Sequence, residues 1–169
     1  MDKKTIEERA KRVLSVYGYN KAEAYIDSVK LAGLFGFRVY QLNDLPESED
    51  GSIYIKEQDD IKEITVNNNR SLEAKRFIIV HELAHYLLHY KSEVGFLKHR
   101  ENIKGKNLEE NDADYLAACI LMPEESFKSR YNSYKKIYSG DKVKIIEALK
   151  KDFQTPDESI ERRIQETCA

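Results

Sequence analysis

His81-Glu82-Leu83-Ala84-His85 is the segment of this sequence whose residue types and spacing can do chemistry. On a helix each residue turns about 100°, so positions four apart lie about 40° apart around the axis and about 6 Å along it. Both imidazoles can therefore reach one ion. Neutral imidazole suits zinc, and a catalytic zinc keeps one of its four positions for a water whose pKa falls to about 7. Glu82 lies three residues before His85 on nearly the same face. Its carboxylate can take the proton from that water and later hand it to a leaving amine. The blander alternative is two histidines satisfied inside a buried helix, with Glu82 as a surface charge. It would crowd two imidazoles beside a carboxylate without a shared cation, which is costly. The pattern predicts a zinc-dependent peptidase with one Zn2+ per chain, His81 and His85 as ligands and Glu82 as the catalytic base.

Two histidines leave the ion short of a third protein ligand. His89 fails on geometry, because three histidines at i, i+4 and i+8 span about 12 Å of continuous helix, too far for bonds of about 2 Å to one ion. A site-edge or structural place is expected for it. His99 falls in a segment that reads as a loop and is expected to be a solvated side chain. The better source is the acidic run Glu109-Glu110-Asn111-Asp112-Ala113-Asp114. Glu110 and Asp114 share a helix face, whereas Glu109 and Asp112 point elsewhere and suit an acidic helix start. Glu110 is the expected third metal ligand. Asp114 is the expected acceptor for the far nitrogen of a ligating histidine, fixing its tautomer. Cys119, nine residues after Glu110, falls on the opposite face and reads as core.

The elements that must position these groups follow from periodicity. Apolar residues at helical spacing predict helices over 4–17 and 21–34. The short β-prone runs Arg38-Val39-Tyr40, Ser52 to Ile55 and Ile61 to Val66, the last reached through Asp59-Asp60, predict a small, largely antiparallel sheet. Ser71 is the expected N-cap of a long, mostly buried helix over 72–88 that carries the two histidines. The charged stretch from about Gly95 to Asn107 reads as a loop. A helix over 108–121 follows, and Pro123 is expected at the first position of the next one. A helix from about Asp141 to Phe153 precedes Thr155, whose spacing to Glu158 predicts a capping box for a last helix through Gln165. The expected fold class is α+β: one mainly helical domain spanning 1–169, its motif core at about 70–125 and the C-terminal helices of 124–169 part of it or appended.

Composition narrows the function. At 169 residues with 41% hydrophobic content the chain can bury a core. A net charge of -2 and a pI near 6.1 give no field for a nucleic-acid backbone, so direct nucleic-acid binding is not expected. Cys119 and Cys168 are too few and too far apart for a disulfide framework and read as reduced thiols. No apolar run has signal-peptide or membrane-spanning length, so the expectation is a cytoplasmic protein with no membrane partner.

The same residues resemble a known family, the ImmA/IrrE metallopeptidases often encoded on phages and mobile elements. HELAHYLLH at 81–89 is similar to that family's active-site helix, and EENDADYLAACILMP at 109–123 to its second motif, which ends in the same Met-Pro pair. The family's glutamate ligand sits four residues before the Asn/Asp position and thirteen before the proline. Both counts fall on Glu110. Asp112 departs from the usual Glu, and the change removes neither a ligand nor the base. The resemblance implies a zincin-like domain and site-specific cleavage of a helix-turn-helix transcriptional repressor as the protein partner.

Two other functions compete. Residues 153–163 resemble the turn and second helix of a DNA-binding helix-turn-helix, but only Arg162 and Arg163 are basic there, against Asp157, Glu158 and Glu161. Packing or partner docking is the expected role of that segment. A metal-stabilised, non-proteolytic regulator would keep the zinc without needing Glu82, so Glu82 favours an enzyme.

Overall fold

The computed structural model describes residues 1–90, 96–101 and 108–168, with 96–101 described as backbone. The element order is α1 (Lys3–Tyr17), α2 (Ser28–Leu34), β1 (Arg38–Leu42), β2 (Glu49–Lys56), β3 (Ile61–Asn67), α3 (Leu72–His89), β4 (Phe96–Glu101), α4 (Leu108–Leu121), α5 (Glu124–Ile137), α6 (Lys142–Phe153) and α7 (Asp157–Thr167). The architecture is α+β. The sheet order is β1-β3-β2-β4, with β1 parallel to β3 and β2 antiparallel to both β3 and β4. The sheet is therefore mixed but largely antiparallel.

The sheet exists to back α3. Ile53 and Ile55 of β2 and Ile64 and Val66 of β3 are fully buried, and alternation places each pair on one face. Gly51 lets the strand come close: a Cβ there would stand 2.6 Å from Ile78 Cγ2 of α3 and 2.7 Å from the Thr65 carbonyl oxygen. The register also shifts between Glu49 and Gly51 on the β4 side, a local irregularity of the kind that bends a strand. Ser71 caps α3 by accepting from the Ala74 amide at 3.2 Å. Residues 76–85 of α3 are all buried, so this helix is enclosed rather than amphipathic. Next to it, α4 packs against α3 on one side and α1 on the other, and residues 113–121 are buried in turn.

Two buried arginines tie the C-terminal helices to this core. Arg76 of α3 donates to the carbonyls of Phe153, Gln154 and Ile26, with the Tyr25 ring 4.2 Å from its guanidinium carbon. Arg163 of α7 donates from Nε to the Met122 carbonyl at the end of α4 (3.1 Å). Arg163 is thus unable to read DNA, and the helix-turn-helix resemblance of 153–163 does not extend to an exposed basic face. Arg162, its neighbour, pairs with Glu166.

Four local expectations are corrected. The second helix starts at Ser28, not residue 21, because Asp27 caps it by accepting from the Val29 and Lys30 amides while Asn20 closes a turn upstream with the Ala22 amide. Part of the expected 95–107 loop is strand β4, in which His99 registers opposite Ser52. The rest of that stretch, and the expected solvation of the His99 side chain, lie outside the described residues. Thr155 does not cap α7; it is fully buried and donates to the Met122 sulfur at 3.4 Å, leaving Pro156 at the N-cap. Pro123 likewise occupies the N-cap of α5, one residue before its first helical position. Among the described residues no helix is long and apolar enough to cross a membrane.

Candidate metal centre

α3 contributes His81, Glu82 and His85, and α4 contributes Glu110 and Asp114. The capped, uninterrupted α3 turns both imidazoles the same way: His81 Nε2 and His85 Nε2 stand 3.0 Å apart. The two Glu110 oxygens complete the group, Oε2 at 3.1 Å from His81 Nε2 and Oε1 at 3.1 Å from His85 Nε2. Among the described residues these three form the one group of His, Cys, Asp and Glu side chains compact enough to hold an ion, with ligand atoms all within 4.8 Å of one another. Tetrahedral zinc with bonds of about 2.0–2.1 Å would set its ligand atoms roughly 3.3 Å apart. The spacing and the two-nitrogen, one-carboxylate donor set both fit a metal ion.

Behind this group, Asp114 Oδ1 lies 2.7 Å from His81 Nδ1. The distance suits an Nδ1–H donating to the carboxylate, which leaves the Nε2 lone pair facing Glu110 and His85. Glu82, one residue after His81, is fully buried. Burial works to raise the Glu110 carboxyl, but hydrogen bonds and positive charge from His81 and His85, present while those rings are protonated, outweigh it and hold it well below the usual carboxylate range. With the rings neutral, the same three side chains set a carboxylate beside two nitrogen lone pairs, a setting that invites a cation.

The other residues singled out in the sequence stand apart. The His89 ring is 5.8 Å from that of His85 and tilted by 47°, and His89 is not in the compact group. Tyr86 Oη accepts from Lys62 Nζ at 3.1 Å, and its ring meets Phe37 edge-on at 5.1 Å. Asp112 pairs with the N-terminal ammonium at 2.8 Å. Cys119 is buried with its thiol pushed up to about 11 by that burial.

The sequence reading missed Arg76 as a member of this architecture. A cation inside the otherwise apolar run of 72–88 was its signal, since a charge on an enclosed helix needs dedicated partners.

Comparison with known proteins supplies a family. The sequence profile of the IrrE N-terminal-like domain, peptidase family M78, matches residues 32–165. No curated protein matches the chain. A solved structure of a Mycobacterium tuberculosis transcriptional regulator superposes with a TM-score of 0.58 at 16% identity, covering 95% of this chain and 46% of that one. At that identity the likeness is one of fold, and this chain spans under half the length of that protein. With a profile matched over most of its length and a His-His-Glu group between the two motif helices, the chain belongs to the IrrE N-terminal-like family of metallopeptidases.

Proposed function

We propose that this chain is a zinc-dependent endopeptidase in which His81, His85 and Glu110 hold the ion, Glu82 is the general base and acid, and Asp114 positions His81. The observation that carries this reading is the convergence of two imidazole nitrogens and one carboxylate within 3.1 Å of one another on the helix that also bears a buried glutamate. When bound, zinc supplies Lewis acidity, lowering the pKa of a water and polarising the scissile carbonyl.

The chain's own residues do the rest. Asp114 holds a proton on His81 Nδ1, so His81 presents an unprotonated Nε2. Glu82 receives a proton from the attacking water on a carboxylate oxygen and delivers it to the departing amine nitrogen, which splits one amide into an acid and an amine. The packing of α3 against α4 closes the rear of the site to bulk water and strengthens the electrostatics inside it. We take residues 1–169 to act as one unit, since Arg76 and Arg163 fasten the C-terminal helices to the two motif helices.

The substrate we propose is a helix-turn-helix transcriptional repressor cut at one site. The resemblance of residues 81–89 and 109–123 to the ImmA/IrrE motifs supports it. The test is to incubate the purified zinc-loaded protein with the repressor encoded nearest its gene and to read the products by intact-mass spectrometry. One cut by the wild type and none by Glu82→Gln is the expected result. Rapid, indiscriminate digestion of unrelated unfolded chains would contradict the site-specific reading.

A further inference from the structure

On the face of α4 turned away from Glu110, α1, α4 and the start of α5 line a cavity of about 420 Å³, within the size range of small-molecule sites. Ala10, Leu14, Cys119 and Pro123 give it apolar walls, and Tyr19 and Ser126 also line it. All of the charged groups around it except Lys11 have a partner. Lys21 pairs with Glu125, Glu124 with Lys128, Glu7 accepts from the Tyr115 hydroxyl at 2.6 Å, and Arg163 is held by the Met122 carbonyl. Lys11 is exposed at the rim, where water screens it. The Cys119 thiol stays protonated at neutral pH.

Two hydroxyls are left over. Ser126 Oγ and Tyr19 Oη are buried and have no hydrogen-bond partner among the described residues, and Ser126 as a whole is only 6% exposed. A buried hydroxyl without a partner costs stability, and such groups in native folds call for a specific explanation. Both residues line the same cavity. Pro123, the N-cap of α5, supplies no side-chain cap to the first-turn amides nearby, which adds donor character to that wall.

We propose that this cavity binds a small uncharged molecule with an apolar body and an amide or ester carbonyl, the carbonyl oxygen accepting from Ser126 and Tyr19. An ion is disfavoured because the lining charges other than the water-screened Lys11 already have partners, so entry would strip its water without a compensating buried counter-charge. The site is independent of the metal centre, since none of its lining residues belongs to the His-His-Glu group.

The experiment is an NMR titration of the full chain with hexanamide, against hexanoate and hexylammonium as charged counterparts, combined with thermal melts. Hexanamide is expected to saturate with shifts centred on Ala10, Cys119 and Ser126 and to raise Tm, with the charged counterparts about 10-fold weaker. Ser126→Ala and Tyr19→Phe should each weaken hexanamide by roughly 2- to 10-fold, the worth of one neutral hydrogen bond. Neither variant should lower the Tm of the ligand-free protein, because each removes an unmet polar atom. Absence of saturable hexanamide binding, equal binding of the charged counterparts, undiminished binding in the double variant, or a lowered ligand-free Tm in Ser126→Ala would each overturn the proposal.

Discussion

Two regions of this protein bury charge-bearing side chains, and they do so in opposite ways. Around Arg76 and Arg163 the hydrogen-bond acceptors are fixed backbone carbonyls, supplemented by the Tyr25 ring for Arg76 and the Glu166 carboxylate for Arg163. The charge is met by fixed groups inside the fold, with Arg76 Nε alone of the two guanidinium groups' buried atoms left without a hydrogen-bond partner among the described residues. Around His81, His85 and Glu110 the acceptor atoms converge on one another instead. Lone pairs that face each other at about 3 Å are stabilised by a shared cation, not by the fold. Buried polarity met by fixed groups holds helices together, whereas buried polarity that converges marks a place for a ligand.

This contrast can be broken by showing that the two regions respond alike. The largest effect expected is on catalysis: Glu82→Gln should lower peptide cleavage by about 10²- to 10⁴-fold, the usual worth of a general base, with metal content and Tm unchanged. A comparable loss of stability in that variant would make Glu82 a fold residue like the arginines. The reverse is expected of Arg76→Ala, which leaves three carbonyls unmet and should destabilise by about 3 kcal/mol in urea unfolding, while kcat per folded molecule stays near wild type. Asp114→Asn should weaken zinc by about 10- to 100-fold through a less firmly held His81, measured by competition with a chromophoric chelator. The smallest effect sharpens the comparison: Ser71→Ala removes the α3 N-cap and should cost about 1 kcal/mol. Because α3 carries Arg76 as well as His81, that loss should appear in the stability of metal-free and metal-loaded protein alike.

Local signals carried most of what positions the site. The i, i+4 spacing of His81 and His85, the cap at Ser71 and the shared face of Glu110 and Asp114 depend on residues close in sequence, and helical geometry translates them directly into space. The missed features depend on distant partners. Phe96 to Glu101 is a charged segment whose strand character comes from pairing with β2, and context of that kind overrides intrinsic preference. Thr155 has the spacing of a cap, yet the tertiary fold turns it onto Met122. Arg163 looked like a surface base on an acidic helix and proved to be buried, because the carbonyl it serves lies 41 residues away in sequence. The start of α2 was readable in principle, since Asp27 is a strong capping residue followed by its helix, but apolar spacing over 21–34 masked it.

The central claim is that His81, His85 and Glu110 form one metal site, and a competitive zinc titration of metal-free protein tests it most directly. Wild type should bind one zinc per chain, Glu82→Gln should bind it as tightly, and Glu110→Gln should bind it far more weakly. No stoichiometric binding by wild type after reconstitution, or full affinity in Glu110→Gln, would contradict the account.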